Sequence, residues 1–195
     1  MKLYMTTSSG NAYKVRVLLS LLKVPCEQKE VDWAGKEHKS PAFLKLNPRG
    51  QVPVMEIEGK AFWDSTAHLV YLARKHGGEQ WLPTDPLGMA EVMQWMAFAQ
   101  NEVQFGLQWA RAVKKGYKSG SFEEYEGHAR RALEILDAHL ASHDWLAVGR
   151  ATIADIAVYP YVKRSPEAGF SMTDYPRVAA WLARCEELPG WITAD

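Results

Sequence analysis

A proline stands at the mouth of a short apolar run in Arg49-Gly50-Gln51-Val52-Pro53-Val54, and this constrains the fold more than any other stretch of the chain. With no N–H to give to a ladder, Pro53 belongs at the first residue of a strand or on a sheet edge, which leaves the backbone groups of Val52 open to a ligand. The run continues through Met55-Glu56-Ile57-Glu58-Gly59-Lys60-Ala61-Phe62-Trp63 into Asp64-Ser65-Thr66-Ala67. Glu58-Gly59 predicts a tight turn between two short strands, and Asp64-Ser65 predicts the N-cap region of a helix. One segment thus offers strand-like backbone hydrogen bonds and an anion-attracting helix terminus. That combination suits recognition of a small peptide-like molecule.

The flanking chain supplies the elements around this segment. Residues 2–6 predict a strand, 6–11 a polar loop, and the following residues a helix with Val15, Leu18, Leu19 and Leu22 on one face. Residues 26–31 predict a second strand, 32–40 a loop, 41–46 a short helix opening at Ser40-Pro41, and 65–76 a helix stopped by Gly77-Gly78. The order is βαβαββα. Residues 77–86, with Pro83 and Pro86, predict a linker, because the strand-like segments all precede it and long helical patterns follow it. Helices are expected over 87–115, 122–141, 153–162 and 176–187. The fold class is therefore α/β plus all-α, with a first domain at 1–76, a linker at 77–86 and a helical domain at 87–195. Thr152-Ile153-Ala154-Asp155 forms a capping-box variant, a feature worth about 1 kcal/mol.

Composition excludes several functions. The 195 residues are 47% hydrophobic and 24% charged, as in an ordinary globular protein, and 23 basic residues balance 23 acidic ones. The electrostatic footprint of a protein that binds nucleic acid or anionic membrane is absent. No run approaches the length of a membrane span, and the chain turns polar at Thr6-Thr7-Ser8-Ser9, too early for a signal peptide, so the cytoplasm is the expected compartment. Cys26 and Cys185 are far apart and form neither a CxxC pair nor a zinc spacing. His139 and His143 lack the HExxH context, so no metal site is expected, and no serine lies in a GxSxG elbow.

A βαβαββα unit carrying Asn47-Pro48-Arg49-Gly50-Gln51-Val52-Pro53-Val54, then Asp64-Ser65, and followed by helices with the cap at Thr152-Ile153-Ala154-Asp155, resembles the cytosolic glutathione transferase superfamily over nearly the whole chain. Ser9-Gly10-Asn11 resembles the Ser-x-Asn or Thr-x-Asn pattern of some bacterial members. The resemblance implies a thioredoxin-like first domain that binds glutathione as cosubstrate, with a cis peptide bond at Pro53. It also implies backbone pairing of Val52 with the cysteinyl portion. Asp64 would accept from the γ-glutamyl ammonium, where the family usually carries Glu or Gln, and Ser65 with the helix N–H groups would hold the neighbouring α-carboxylate. Gln51, with Lys36 or His38, would meet the glycyl carboxylate.

The thiol would sit at the start of the first helix. Ser9 would donate to it, with Ser8 and Thr7 as the alternative hydroxyls, and Asn11 would be a second donor or helix cap. A thiol of pKa near 8.5 is only about 3% ionised at pH 7, and lowering that pKa by two units takes roughly 2.7 kcal/mol. A helix terminus contributes about 0.3 to 2 kcal/mol and a hydrogen bond to a charge about 1.5 to 3, which together suffice. On the helix carrying Trp95, Phe98, Phe105 and Trp109, one side is expected to build the core. Gln104, Trp109 and Arg111 are expected to shape a pocket for a second substrate.

The expected activity is conjugation of glutathione to a small electrophile, as in detoxification, by a homodimer. Two alternatives stand beside it. Without a CxxC pair, reduction of a disulfide or peroxide would have to use the sulfur of glutathione itself. A non-catalytic binding or scaffold protein, like the family's translation-elongation relatives, is the other.

Overall fold

The computed structural model describes residues 1–193. The chain divides into two compact units: Met1–Glu79 together with the chain from Pro189 onward, and Gln80–Leu188.

In the first unit, strands β1 (Lys2–Met5), β2 (Glu27–Glu30), β3 (Val54–Ile57) and β4 (Lys60–Trp63) form one sheet in the order β2-β1-β3-β4. β1 runs parallel to β2 and antiparallel to β3, and β4 is antiparallel to β3. Glu58 and Gly59 both have positive φ, 51° and 77°, which matches the right-handed twist of the hairpin strands they join. Helices α1 (Gly10–Leu21), α2 (Pro41–Leu46) and α3 (Ser65–Leu72) complete the unit. Val31, Phe43 and Val54 form a small core against which Tyr4, Leu46, Val52 and Ala61 pack.

The register brings the functional loops together. Tyr4 pairs with Val54, Val54 with Trp63, and Met5 with Glu30. The end of β1, the end of β2, the start of β3 and the end of β4 therefore lie along one edge of the sheet. The segments after residues 5, 30 and 63 and the segment before residue 54 all leave from that edge.

The second unit contains α4 (Gly78–Trp81, shared at the boundary), α5 (Pro86–Phe98), α6 (Trp109–Lys114), α7 (Glu123–His139), α8 (Ile153–Lys163) and α9 (Pro176–Glu186). Helix α8 is buried on every side from Ile153 to Val162, so the unit is built around it. Between α5 and α6 the backbone is a π-helix over Ala99–Gln108. There Gly106 lies so close to α7 that a Cβ would stand 2.8 Å from the Ala129 backbone nitrogen, and only glycine allows that approach.

The structure departs from the sequence expectations in five places, the first being the helix expected over 65–76, which is α-helical only to Leu72 and runs on as a π-helix over Ala73–Gly77. The segment 77–86 is not wholly a linker, because Gly78–Trp81 is helical and Trp81 and Leu82 are buried. The continuous α-helix expected over 87–115 carries the π segment. A short 3₁₀ turn, Glu37–Lys39, interrupts the 32–40 loop. From Pro189 the chain leaves the helical unit and joins the first one, where the buried Tyr13 donates its hydroxyl to the Ile192 carbonyl. A buried phenol requires such a partner, and periodicity along the chain does not reveal it.

Candidate functional site

At the common sheet edge, Ser9 is the N-cap of α1. Its backbone is extended (φ −77°, ψ 116°), and its Oγ accepts from the Ala12 N–H at 3.2 Å. The capping bond uses the oxygen as acceptor and leaves the O–H to donate, and no intrachain acceptor takes it among the described residues. The first turn of α1 holds no acidic residue, so the positive end of its dipole is not neutralised locally. Of the alternative hydroxyls, Thr7 gives its backbone N–H to Glu30 (3.0 Å), and Ser8 has bonding of its own.

Asn11, the second residue of α1, accepts a long bond from the Ser65 hydroxyl at 3.4 Å, which ties the starts of α1 and α3 together. Asp64 caps α3 from an unusual backbone conformation, φ 81° and ψ 125°, with Oδ1 accepting from the Thr66 N–H at 2.9 Å. Such a conformation costs a non-glycine residue about 1 to 3 kcal/mol, and backbone strain of that size is characteristic of sites that hold ligands. Oδ2 of Asp64 accepts from Arg49 Nη1 at 3.2 Å.

The Val52–Pro53 peptide bond is cis. The Val52 side chain packs on the Val31, Phe43 and Val54 cluster, while neither its N–H nor its C=O takes an intrachain partner among the described residues. The loop before it is organised by Asn47, whose Oδ1 accepts from the Arg49 N–H (3.0 Å) and whose Nδ2 donates to the Gln51 carbonyl (2.7 Å). Gly50, at φ 57°, could not carry a side chain, since a Cβ there would meet the His38 carbonyl at 2.8 Å.

Around the expected glycyl end, Gln51 is exposed and Lys36 is exposed at φ 59°. His38 is 6% exposed, stacked 3.7 Å beneath the Trp33 ring, with a buried Nδ1 that has no partner among the described residues. Lys39, which the sequence did not single out, donates to the Gly50 carbonyl at 3.2 Å.

Lys14 is the other group that sequence reasoning missed. It is 1% exposed on α1, and burial pulls its ammonium down to about 8 while the charge of Asp64 opposes that shift. It therefore remains mostly protonated at neutral pH. A lysine one turn ahead of Leu18, inside the apolar face, was the available signal.

In the helical unit, Trp109 lines a cavity of about 470 Å³ with Asn101, Glu102, Phe105, Tyr125 and His128, and that lining does not include Gln104 or Arg111. Each has a buried atom without a partner among the described residues, Gln104 Oε1 and Arg111 Nε, as does Gln108 Oε1. Arg111 also pairs with Glu167 at 3.0 Å. Among the described residues no His, Cys, Asp and Glu groups are arranged to hold a metal ion, and no helix is long and apolar enough to cross a membrane.

Residues 1–74 match the family profile described as glutathione S-transferase, N-terminal domain, and residues 101–189 match the one described as glutathione S-transferase, C-terminal domain. A probable elongation factor 1-gamma 2 from Arabidopsis thaliana is 34% identical over 161 residues, or 80% of this chain, which spans 39% of that protein's length. The crystal structure of a possible glutathione S-transferase from Rhodopseudomonas palustris matches at 37% identity and TM-score 0.92, covering 100% of this chain and 97% of the other. A glutathione transferase homologue from Drosophila mojavensis, solved with bound glutathione, matches at 27% identity and TM-score 0.87, covering 96% and 88%.

Proposed function

The chain belongs to the glutathione S-transferase family, and from that premise we propose that it binds glutathione along the common sheet edge, activates the thiol and conjugates it to a small electrophile. The observation that carries the reading is Ser9, a hydroxyl whose acceptor side caps α1 and whose O–H has no intrachain acceptor among the described residues. A thiolate there receives one hydrogen bond and the uncompensated end of a helix of 12 residues. Asn11 positions the start of α3 through Ser65 and offers its amide as second donor. The free N–H and C=O of Val52 pair with the cysteinyl unit as one strand pairs with another. Asp64 and Ser65 take the γ-glutamyl end, and Gln51 with His38 or Lys36 takes the glycyl end.

Glutathione titrated into the protein in a calorimeter is expected to give saturable heat at submillimolar to millimolar concentration. Turnover should be greatest with an activated chloroarene in a panel that also holds a peroxide and a small mixed disulfide. Absence of binding at millimolar glutathione would overturn the enzymatic reading. It would favour the non-catalytic alternative, which the similarity to an elongation factor subunit supports. Binding with turnover only of the peroxide or the disulfide would move the assignment to a reductase.

The reading includes a cytoplasmic homodimer. Phe62 and Trp63 of β4 are 40% and 41% exposed, and Phe105, 45% exposed, lines the cavity of the helical unit. Exposed aromatic groups of this kind suit burial against a second copy. Sedimentation equilibrium is expected to return twice the chain mass of 22.0 kDa, and a monomer at micromolar concentration would refute this part.

A further inference from the structure

The carboxylate of Asp64 already has cations of its own. Arg49 Nη1 donates to Oδ2 at 3.2 Å from the solvent side. The charge of Asp64 also acts on the buried Lys14. Oδ1 is occupied by the Thr66 N–H. His68, on α3, is 1% exposed, bonds to the Phe62 carbonyl through Nε2 at 2.9 Å, and is disfavoured as a cation by its burial. A further ammonium brought to Asp64 must displace Arg49 or share its acceptor, whereas an added carboxylate meets the N–H groups of Arg49 that Asp64 does not use.

Arg49 is placed to receive that carboxylate. About half of its side chain is exposed, its guanidinium lies 5.5 Å from the Trp63 ring centroid, and one bond to Asp64 uses one of its five N–H groups. The ring and the ion pair hold the guanidinium plane, and a held guanidinium fork is the group best matched to a carboxylate. We propose that Arg49 is the specificity-determining residue for the γ-glutamyl end, reading its α-carboxylate, so that the site selects ligands by this carboxylate and tolerates loss of the neighbouring ammonium. The inference rests on the glutathione reading and deepens it. Asp64 becomes chiefly the residue that positions Arg49 and caps α3.

The test is calorimetric titration with three peptides: glutathione, the analogue lacking the α-amino group (glutaryl-Cys-Gly), and the analogue with an α-carboxamide in place of the α-carboxylate. Loss of the amino group is expected to weaken binding by no more than about threefold. Amidation is expected to weaken it by about thirtyfold, the difference between a neutral surface contact and a charged, forked one. In Arg49→Gln the penalty for amidation should fall to about threefold, and Arg49→Lys, which keeps charge without the fork, should lie between.

Arg49 is exposed on a loop, and thermal melts of both variants will show that they remain folded. The reverse ranking in the wild-type protein, or an unchanged ranking in folded Arg49→Gln, would overturn the inference while leaving the glutathione reading standing. Failure of glutathione itself to bind would overturn that reading and this inference with it.

Discussion

Replacing Asp155 with alanine is expected to cost roughly 3 to 5 kcal/mol, because it strips several buried donors of their acceptor at once. Oδ1 accepts from the Leu146 N–H at 3.1 Å and from Trp181 Nε1 at 3.0 Å, while Oδ2 accepts from the Thr152 N–H at 2.9 Å and its hydroxyl at 3.3 Å. One carboxylate therefore joins the loop at residue 146, the start of α8 and the face of α9. Alanine would leave these donors buried and unpaired, at about 1 to 3 kcal/mol for each such group, although the costs do not add fully. Set against a typical total of about 5 to 15 kcal/mol, the loss should bring the unfolding midpoint in urea down by a large fraction. A change below about 1 kcal/mol would contradict the assigned role.

The same residue gives a pH signature. Burial outweighs the donors and pushes the Asp155 carboxyl up to about 6, from 3.8 for the free side chain. The native state then holds this proton more tightly than the unfolded chain. The contribution of Asp155 to stability is thus greatest below pH 4, falls as pH rises from about 4 to 6, and levels off above that, by about 3 kcal/mol in all. Asp155→Asn does not titrate, so its deficit relative to wild type should be larger at pH 4 than at pH 7. A deficit that grows with pH would show that the four donors outweigh burial and depress the carboxyl.

Ser9→Ala is expected to lower kcat/KM for conjugation by about 10- to 100-fold through loss of one hydrogen bond to the thiolate, worth roughly 1.5 to 3 kcal/mol. The pKa of bound thiol, read from thiolate absorbance, should rise by one to two units in step. Capping loss alone costs about 1 kcal/mol of stability and leaves that pKa unmoved, so the titration separates the two roles. Ser9→Thr keeps both the cap and the donor and should restore the pKa. An unchanged titration in Ser9→Ala would move the donor role to Asn11 or to a neighbouring hydroxyl.

What could be read from the chain was whatever short-range chemistry specifies. The two-strand turn at Glu58-Gly59, the caps at Ser40, Asp64 and Thr152, and the proline opening β3 each depend on a few consecutive residues, and the structure has all of them, whereas the cap of α1 is Ser9 and not Asn11. These features also placed Ser9, Val52 and Ser65 at or next to element ends, where backbone groups are left without helix or strand partners.

Pairing across the fold escaped that reading. Arg49 lay inside the motif without a role, because its contact with Asp64 spans 15 residues and exists only once β3 and β4 are paired. Lys14 drew no role from the sequence, and only packing encloses it. The continuous α-helix expected through Gln104, Trp109 and Arg111 carries the π segment Ala99–Gln108, whose i→i+5 bonding the apolar period along the chain does not reveal.

By itself the sequence determined the order of elements, most of the helix caps and the proline at the start of β3. Caps, turns and hydrophobic period act over one to four residues and favour the same local conformation whatever surrounds them. Only the tertiary structure decided which charges face one another. Burial shifts the protonation of Lys14 and Asp155, and proximity pairs Arg49 with Asp64 and Asp155 with Trp181, and both arise from contacts between distant parts of the chain.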